Sequence, residues 1–319
     1  MGLYEWIHDP AAEIRASDLL PDDQPPKPWP PVRRWRFNAG LRALVFFGVF
    51  VAVTLVAGVV MGAVVGAGDG VDGDPGGGVD GLLARVPWTA IMAVELVAAV
   101  VAYAVLAWGM EGRRRPVELA WPRAVDALKG AAVGFLAISL AVGVLALLGS
   151  YRIEGFNSGY SPWADLFGAG LVAAVAEEIM FRGVMFRLLE GTFGSAWAIV
   201  ADCLVFGLVH VGNSGGTLLG GIGVAVESLA VPALYLATRS LWWAMGLHFA
   251  WNVAQGPIWG SVVSGSGAAS SMVTARWTGP EWLTGGAFGI EASVVTMALF
   301  GGFGAWLLWR ARKQGLFVL

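Results

Sequence analysis

Long apolar runs, separated by short polar or glycine-rich joints, occupy most of this chain. Spanning a bilayer takes roughly 20 apolar residues. Eight stretches reach that length: about 42–67, 87–110, 128–150, 163–187, 195–216, 217–238, 240–260 and 286–309. Residues 43–68 and 130–151 contain no charged side chain at all. Strand-type alternation is absent, and lipid requires backbone groups to be satisfied within the segment, so all eight predict helices. The expected fold is an all-α membrane protein, a bundle of about eight transmembrane helices.

Residues 1–36 break the pattern. Seven prolines, the acidic pair Asp22 and Asp23, and the cluster Pro25–Pro31 predict a disordered, solvated tail. It lacks the basic start and apolar centre of a cleaved signal peptide, so the first span is expected to be retained. Residues 37–312 then form the polytopic membrane domain and 313–319 a short tail. No repeat of 20–50 residues is apparent, which argues against a transporter built from two recognisable halves.

Composition agrees with the pattern. The 319 residues are 57% apolar and 13% charged, with a mean hydropathy of +0.68, against about 45–50% and about 25% in soluble domains. A net charge of -3 offers no footprint for nucleic acid. The single cysteine, Cys203, excludes an intramolecular disulfide and a CxxC metal site.

Loop charge sets orientation. Arg33, Arg34, Arg36 and Arg42 precede span one, and Arg113, Arg114, Arg115 and Arg123 lie between spans two and three. Arg182 and Arg187 close span four, Arg239 separates spans six and seven, and Arg310, Arg312 and Lys313 follow span eight. The intervening loops are acidic or nearly neutral, with Asp69, Asp72, Asp74 and Asp80 against Arg85, Arg152 against Glu154, and Arg276 against Glu281. This alternation predicts eight crossings with both termini in the cytoplasm.

A charged group at the centre of a membrane helix costs about 2.5–3.5 kcal/mol on the insertion scale, so each needs a reason. The spans carry Glu95, Glu177, Glu178, Arg182, Asp202, His210, Glu227, His248, Asn252 and Glu291. Glu178 and Arg182 are i,i+4 partners in the favourable order. Glu177 points about 100° away and is left without a local counter-charge. Phe206 and His210 share a helix face, as do His248 and Asn252. Each pair also has a plain packing reading, in which it bonds across to a neighbouring helix. Two carboxylates, two histidines and an amide on three helices are costly to bury unless they meet.

Depth depends on where span five starts. With the Gly191–Ser195 joint in the cytoplasm and span five entering near Val200, Glu177, His210 and His248 all lie roughly 10–15 Å below that surface. A start at Ser195 would put His210 nearer the far side.

Glutamate and histidines at a shared depth suit water activation, since a glutamate in an apolar cavity can serve as general base. Histidines and a second carboxylate could hold a divalent metal, with zinc favoured. Alternatively, His248 and Asn252 could donate to a developing oxyanion with no metal. The spacing does not match His-Glu-x-x-His. The residues alone therefore indicate a membrane-embedded hydrolase.

The ordered set Glu-Glu-x-x-x-Arg, Phe-x-x-x-His and His-x-x-x-Asn resembles the CPBP (Abi) family of CAAX proteases and bacteriocin-processing or self-immunity proteins, type II CAAX prenyl endopeptidases among them. Glu177, Glu178 and Arg182, then Phe206 and His210, then His248 and Asn252 carry it, within a core of about 163–258. The resemblance implies an eight-helix intramembrane endopeptidase whose cavity opens to the cytoplasm. It makes Glu177 the base that activates water, and His210 the ligand of that water or of a metal. His248 and Asn252 would stabilise the oxyanion, Glu178 and Arg182 form a structural or orienting pair, and Phe206 support the packing. If a metal is used, the candidate ligands are Glu178, His210 and His248. The implied partners are a membrane protein or peptide substrate and the lipid bilayer, and the implied location is the cell membrane. Ala-, Gly-, Val- and Trp-rich usage points to a high-GC bacterium.

Two other readings compete. A non-catalytic bacteriocin-immunity or peptide-binding membrane protein would use the same cavity. A proton-coupled transporter would need the polar path to continue through Glu227 or Glu291. For the remaining charges the expected roles are structural: interhelical hydrogen bonding for Glu95, Glu227 and Glu291, interfacial solvation for Asp202, and topology for Arg113–Arg115. Trp242, Trp243, Trp306 and Trp309 are expected to be interfacial anchors.

Overall fold

The computed structural model describes residues 3–7, 38–68, 86–266 and 270–318. Of the expected tail, residues 8–36 lie outside the described residues, as do the acidic positions Asp69, Asp72, Asp74 and Asp80. Leu3–Ile7 is a short helical turn. Ile7 is buried, and the Trp6 ring meets Trp243 edge to face with centroids 5.4 Å apart.

The protein is mostly helical. In chain order the main elements are α1 (Ala39–Gly68), α2 (Trp88–Ala104), α3 (Asp126–Leu147), β1 (Tyr151–Phe156) and α4, a helical run over 163–193. They continue with α5 (Ser195–Val211), α6 (Leu218–Glu227), α7 (Ala230–Thr238), α8 (Leu241–Val253), β2 (Val273–Trp277) and α9 (Val294–Lys313). Five stretches are long and apolar enough to cross a membrane: Ala39–Val64, Trp88–Met110, Trp121–Leu147, Leu218–Thr238 and Val294–Lys313. α1 shows why: Leu44, Leu55, Val56 and Val59 are all exposed along it, an apolar surface suited to lipid rather than water.

Two expectations fail here. The chain is not purely helical, because β1 and β2 pair antiparallel, with Tyr151 opposite Trp277 and Phe156 opposite Val273. The strands lie 116 or more residues apart in sequence, so no local alternation announces the pairing. The last span starts at Val294 rather than near 286. Gly285, Gly286 and Gly289 hold positive φ, which ends any helix there and places Glu291 in a turn ahead of the span.

Loop contacts gather at two ends of the bundle. At one end Arg187 pairs with Glu111 at 2.8 Å, Arg239 with Glu190 at 2.5 Å, and Arg123 donates to Thr238 O at 2.7 Å. The tail joins this end, with Ser195 N bonded to Val318 O at 2.9 Å. At the other end lie the β1–β2 pair and the bond from Asn213 Nδ2 to Ser264 O, 2.6 Å. The arginines at the first end are not simply solvated topology charges. Arg42, Arg113, Arg187 and Arg239 are all buried, in ion pairs with Glu111, Glu118 and Glu190.

Close helix contact positions the polar centre. Where α3 crosses α8, a Cβ on Gly130 or Gly134 would overlap the carbonyl oxygens of Trp243 and Leu247, and one on Gly246 would overlap that of Ala127. Small residues four apart allow this approach in membrane helices, and the crossing fixes the turn of α8 just before His248. Trp243 is accordingly buried in the core rather than anchoring at an interface.

Candidate active site

Three elements bring the expected residues together. In α4 the α-helical stretch Ala173–Glu178 lies between π-helical stretches Leu166–Val172 and Ile179–Phe186. A π turn rotates the side chains that follow it and recurs at functional sites. α5 presents Phe206 and His210, and α8 presents His248 and Asn252.

Glu178 is the hub. It is fully buried, its Oε1 accepts from Arg182 Nη1 at 2.9 Å, and the same oxygen lies 2.9 Å from His248 Nδ1. Arg182 reaches Asp202 with its other terminal nitrogen, 3.2 Å away. Asp202 is therefore not solvated at an interface but fully buried. A guanidinium is a two-pronged donor, and Glu178 satisfies one prong only. The unassigned second prong, together with an aspartate on the next span, was the signal that sequence reasoning passed over.

Glu177 faces differently. Its side chain is 22% exposed, and its buried Oε2 has no hydrogen-bond partner and lies 4.0 Å from His248 Nε2. The gap is one that a single water would bridge once it reaches the buried Oε2. His248 thus has a carboxylate at each ring nitrogen, Glu178 in direct contact and Glu177 at a short gap.

Phe206 packs as expected. Its ring centroid is 4.5 Å from that of His210 and 6.3 Å from that of His248, and the Arg182 guanidinium carbon sits 4.9 Å from it. His210 Nδ1 is 2.7 Å from Phe206 O. A carbonyl oxygen only accepts, so Nδ1 carries the proton and Nε2 keeps its lone pair. Asn252 Nδ2 donates to Ala169 O on α4 at 2.8 Å. Both α8 residues therefore make the interhelical bonds of the plain packing reading while still lining a cavity.

That cavity, counted with the space at its open side, holds about 480 Å³. Glu178, His210, His248 and Asn252 line it, whereas Glu177 does not. Two further carboxylates do, Glu227 and Glu291. Glu291 accepts from Ser264 N at 2.6 Å, Ser264 Oγ at 3.0 Å and Trp251 Nε1 at 3.3 Å. Glu227 is only 4% exposed, and its Oε1 has no partner. Both were visible in the sequence as intramembrane acids on separate spans. Their convergence depends on the short α6 and on the turn before α9, which the apolar pattern does not encode.

The start of α5 matches the second of the two sequence options. α5 starts at Ser195, so His210 is 15 residues along it and one residue from its end, about 22 Å from the Gly194 joint. Glu178, His210 and His248 face one cavity because α4 and α8 reach the same level from mid-helix.

Among the described residues, no three His, Cys, Asp or Glu side chains converge as a metal-binding group. Glu178 already receives both Arg182 and His248 Nδ1 through Oε1. Glu178 Oε2 has no partner, but it, His210 and His248 are not brought together as one ligand set among the described residues.

The class so defined is a multi-pass membrane protein with a buried Glu–Arg–His–Asn site between its helices. Residues 159–254 match the family model described as type II CAAX prenyl endopeptidase Rce1-like. All seven motif residues, from Glu177 to Asn252, fall inside that stretch. This is the family the motifs resemble. No curated protein and no solved structure matches the chain.

Proposed function

We propose that this protein is an intramembrane endopeptidase that hydrolyses a peptide bond of a membrane-associated or lipid-linked protein. The observation that carries the reading is the pair of unfilled positions at Glu177 Oε2 and His248 Nε2, 4.0 Å apart, with Glu178 and Arg182 locking the imidazole from behind. Glu177 takes a proton from a water held there, and the oxygen attacks the carbonyl carbon. The oxyanion is stabilised by the second amide N–H of Asn252 and by Nε2–H of His248 in its protonated form, the Nδ1–H being held by Glu178. The proton then passes from Glu177 to the leaving nitrogen as the C–N bond breaks. His210, with Nε2 free to accept, orients the water or the peptide from the cavity side. All eight apolar segments cross the membrane in this proposal, and both termini are cytoplasmic.

The non-catalytic peptide-binding reading is favoured by one observation: the bonds of His248 and Asn252 to α4 are also what packing alone would use. A census of new protein termini separates the two. Membranes are compared from a deletion strain of the native host carrying the wild type or Glu177→Gln at equal expression. Termini found only with the wild type support the endopeptidase. Identical termini, with the variant still restoring the deletion phenotype, leave the binding protein.

A further inference from the structure

The cavity continues past the catalytic side chains into a chamber whose chemistry the hydrolysis does not use. Glu227 at the end of α6 and Glu291 before α9 both line it. Glu291 is held by neutral donors, the Ser264 backbone N–H and hydroxyl and the Trp251 indole, with Gln255 beside them, and the charge of the nearby His210 imidazole would act favourably on it. Glu227 is nineteen-twentieths buried or more, and one of its oxygens has no donor. Arg182 also lines the cavity, but it already bridges Glu178 and Asp202. The remaining walls include Trp251, Phe206 and Phe300.

A buried carboxylate lacking a counter-charge costs several kcal/mol, and an occupant bringing a cation would relieve that cost at Glu227, whose Oε1 has no donor. An apolar chain would leave Glu227 unsatisfied. A metal ion has no three-ligand set among the described residues. A lysine or arginine side chain meets every requirement. Its aliphatic stem lies against the aromatic walls, its cation is favoured at ring faces, and its N–H donors reach the carboxylates. We propose that Glu227 and Glu291 form a specificity pocket for a basic side chain of the substrate, close in sequence to the cleaved bond. The location of the pocket relative to the bond rests on the endopeptidase reading, whereas the binding of a basic peptide does not.

The test uses the full chain in nanodiscs and matched peptides that differ only by lysine or norleucine at one position. Affinity is measured on Glu177→Gln, so that no peptide is consumed. Cleavage is measured on the wild type. Lysine peptides are expected to bind at least about tenfold more tightly, and Glu227→Gln to bring the lysine-to-norleucine ratio towards one. Cleaved peptides from a mixed library should carry lysine or arginine at one fixed distance from the new terminus. Equal affinity of the wild-type pocket for both peptides overturns the proposal without reliance on any Glu227 variant. So does a lysine preference that survives in a folded Glu227→Gln protein. Glu227-dependent lysine binding with no peptide cleaved would retain the pocket and overturn the endopeptidase reading instead.

Discussion

Glu178 stands directly behind His248, its Oε1 2.9 Å from the ring Nδ1, and so turns the opposite nitrogen towards Glu177. The two adjacent glutamates thus divide the work. One is fixed by Arg182 and orients the imidazole, and the other remains partly accessible with an unpaired oxygen. Sequence adjacency produces this division because neighbouring helical side chains diverge by about 100°.

Glu177→Gln should therefore lower cleavage by at least about 100-fold, the usual share of a general base. Thermal unfolding of the purified variant should match the wild type, since Glu177 Oε2 has no partner to lose. A large fall in melting temperature would reassign Glu177 to structure.

Arg182→Met should destabilise the fold by about 3–5 kcal/mol, because it leaves Glu178 and Asp202 buried with no cation between them. Unfolding in detergent checks this. Asp202→Asn keeps the Glu178 contact and should cost less. Its activity loss, if the pair only holds structure, should follow its stability loss.

Gly134→Leu should abolish activity by forcing α3 away from α8 at Leu247, next to His248. Gly143→Ala provides the control on the same helix, where an added methyl meets nothing within 4 Å. Comparing activity at equal membrane insertion separates displacement of the site from general damage.

Chelation with EDTA should leave Glu177-dependent cleavage unchanged, since Glu178 is already engaged by Arg182 and His248. Activity lost to EDTA and restored by zinc would return the metal to the mechanism.

A membrane-impermeant thiol reagent applied to intact cells should label Arg276→Cys beside β1 and spare Lys313→Cys until lysis. Both positions are exposed, and the native Cys203 is buried. The reverse pattern would invert the orientation.

Much of this architecture is legible in the amino acids. Long apolar runs define α1, α2 and α3, because lipid leaves little alternative to a helix. The i,i+4 geometry of Glu178 with Arg182 and the shared face of Phe206 and His210 also follow from local helical spacing. Long-range relations do not. Asp202 looks like an interfacial acid until Arg182 is seen to need a second partner. Glu227 and Glu291 look like isolated polar points until α6 and the turn before α9 bring them to one cavity. The place of His210 along α5 turns on a smaller point, a helix that begins at its joint rather than several residues later.

The β1–β2 pair has a consequence for how the molecule is made. Residues 159–254, the segment that matches the endopeptidase family, lie wholly between the two strands. The pairing closes this part of the chain into a loop whose two ends are neighbours. Everything that carries the chemistry from Glu177 to Asn252 is thus sealed by a clasp that forms only after residue 277 has been synthesised. The catalytic helices enter the membrane one after another, and a few backbone hydrogen bonds outside them then tie the two ends of the segment together.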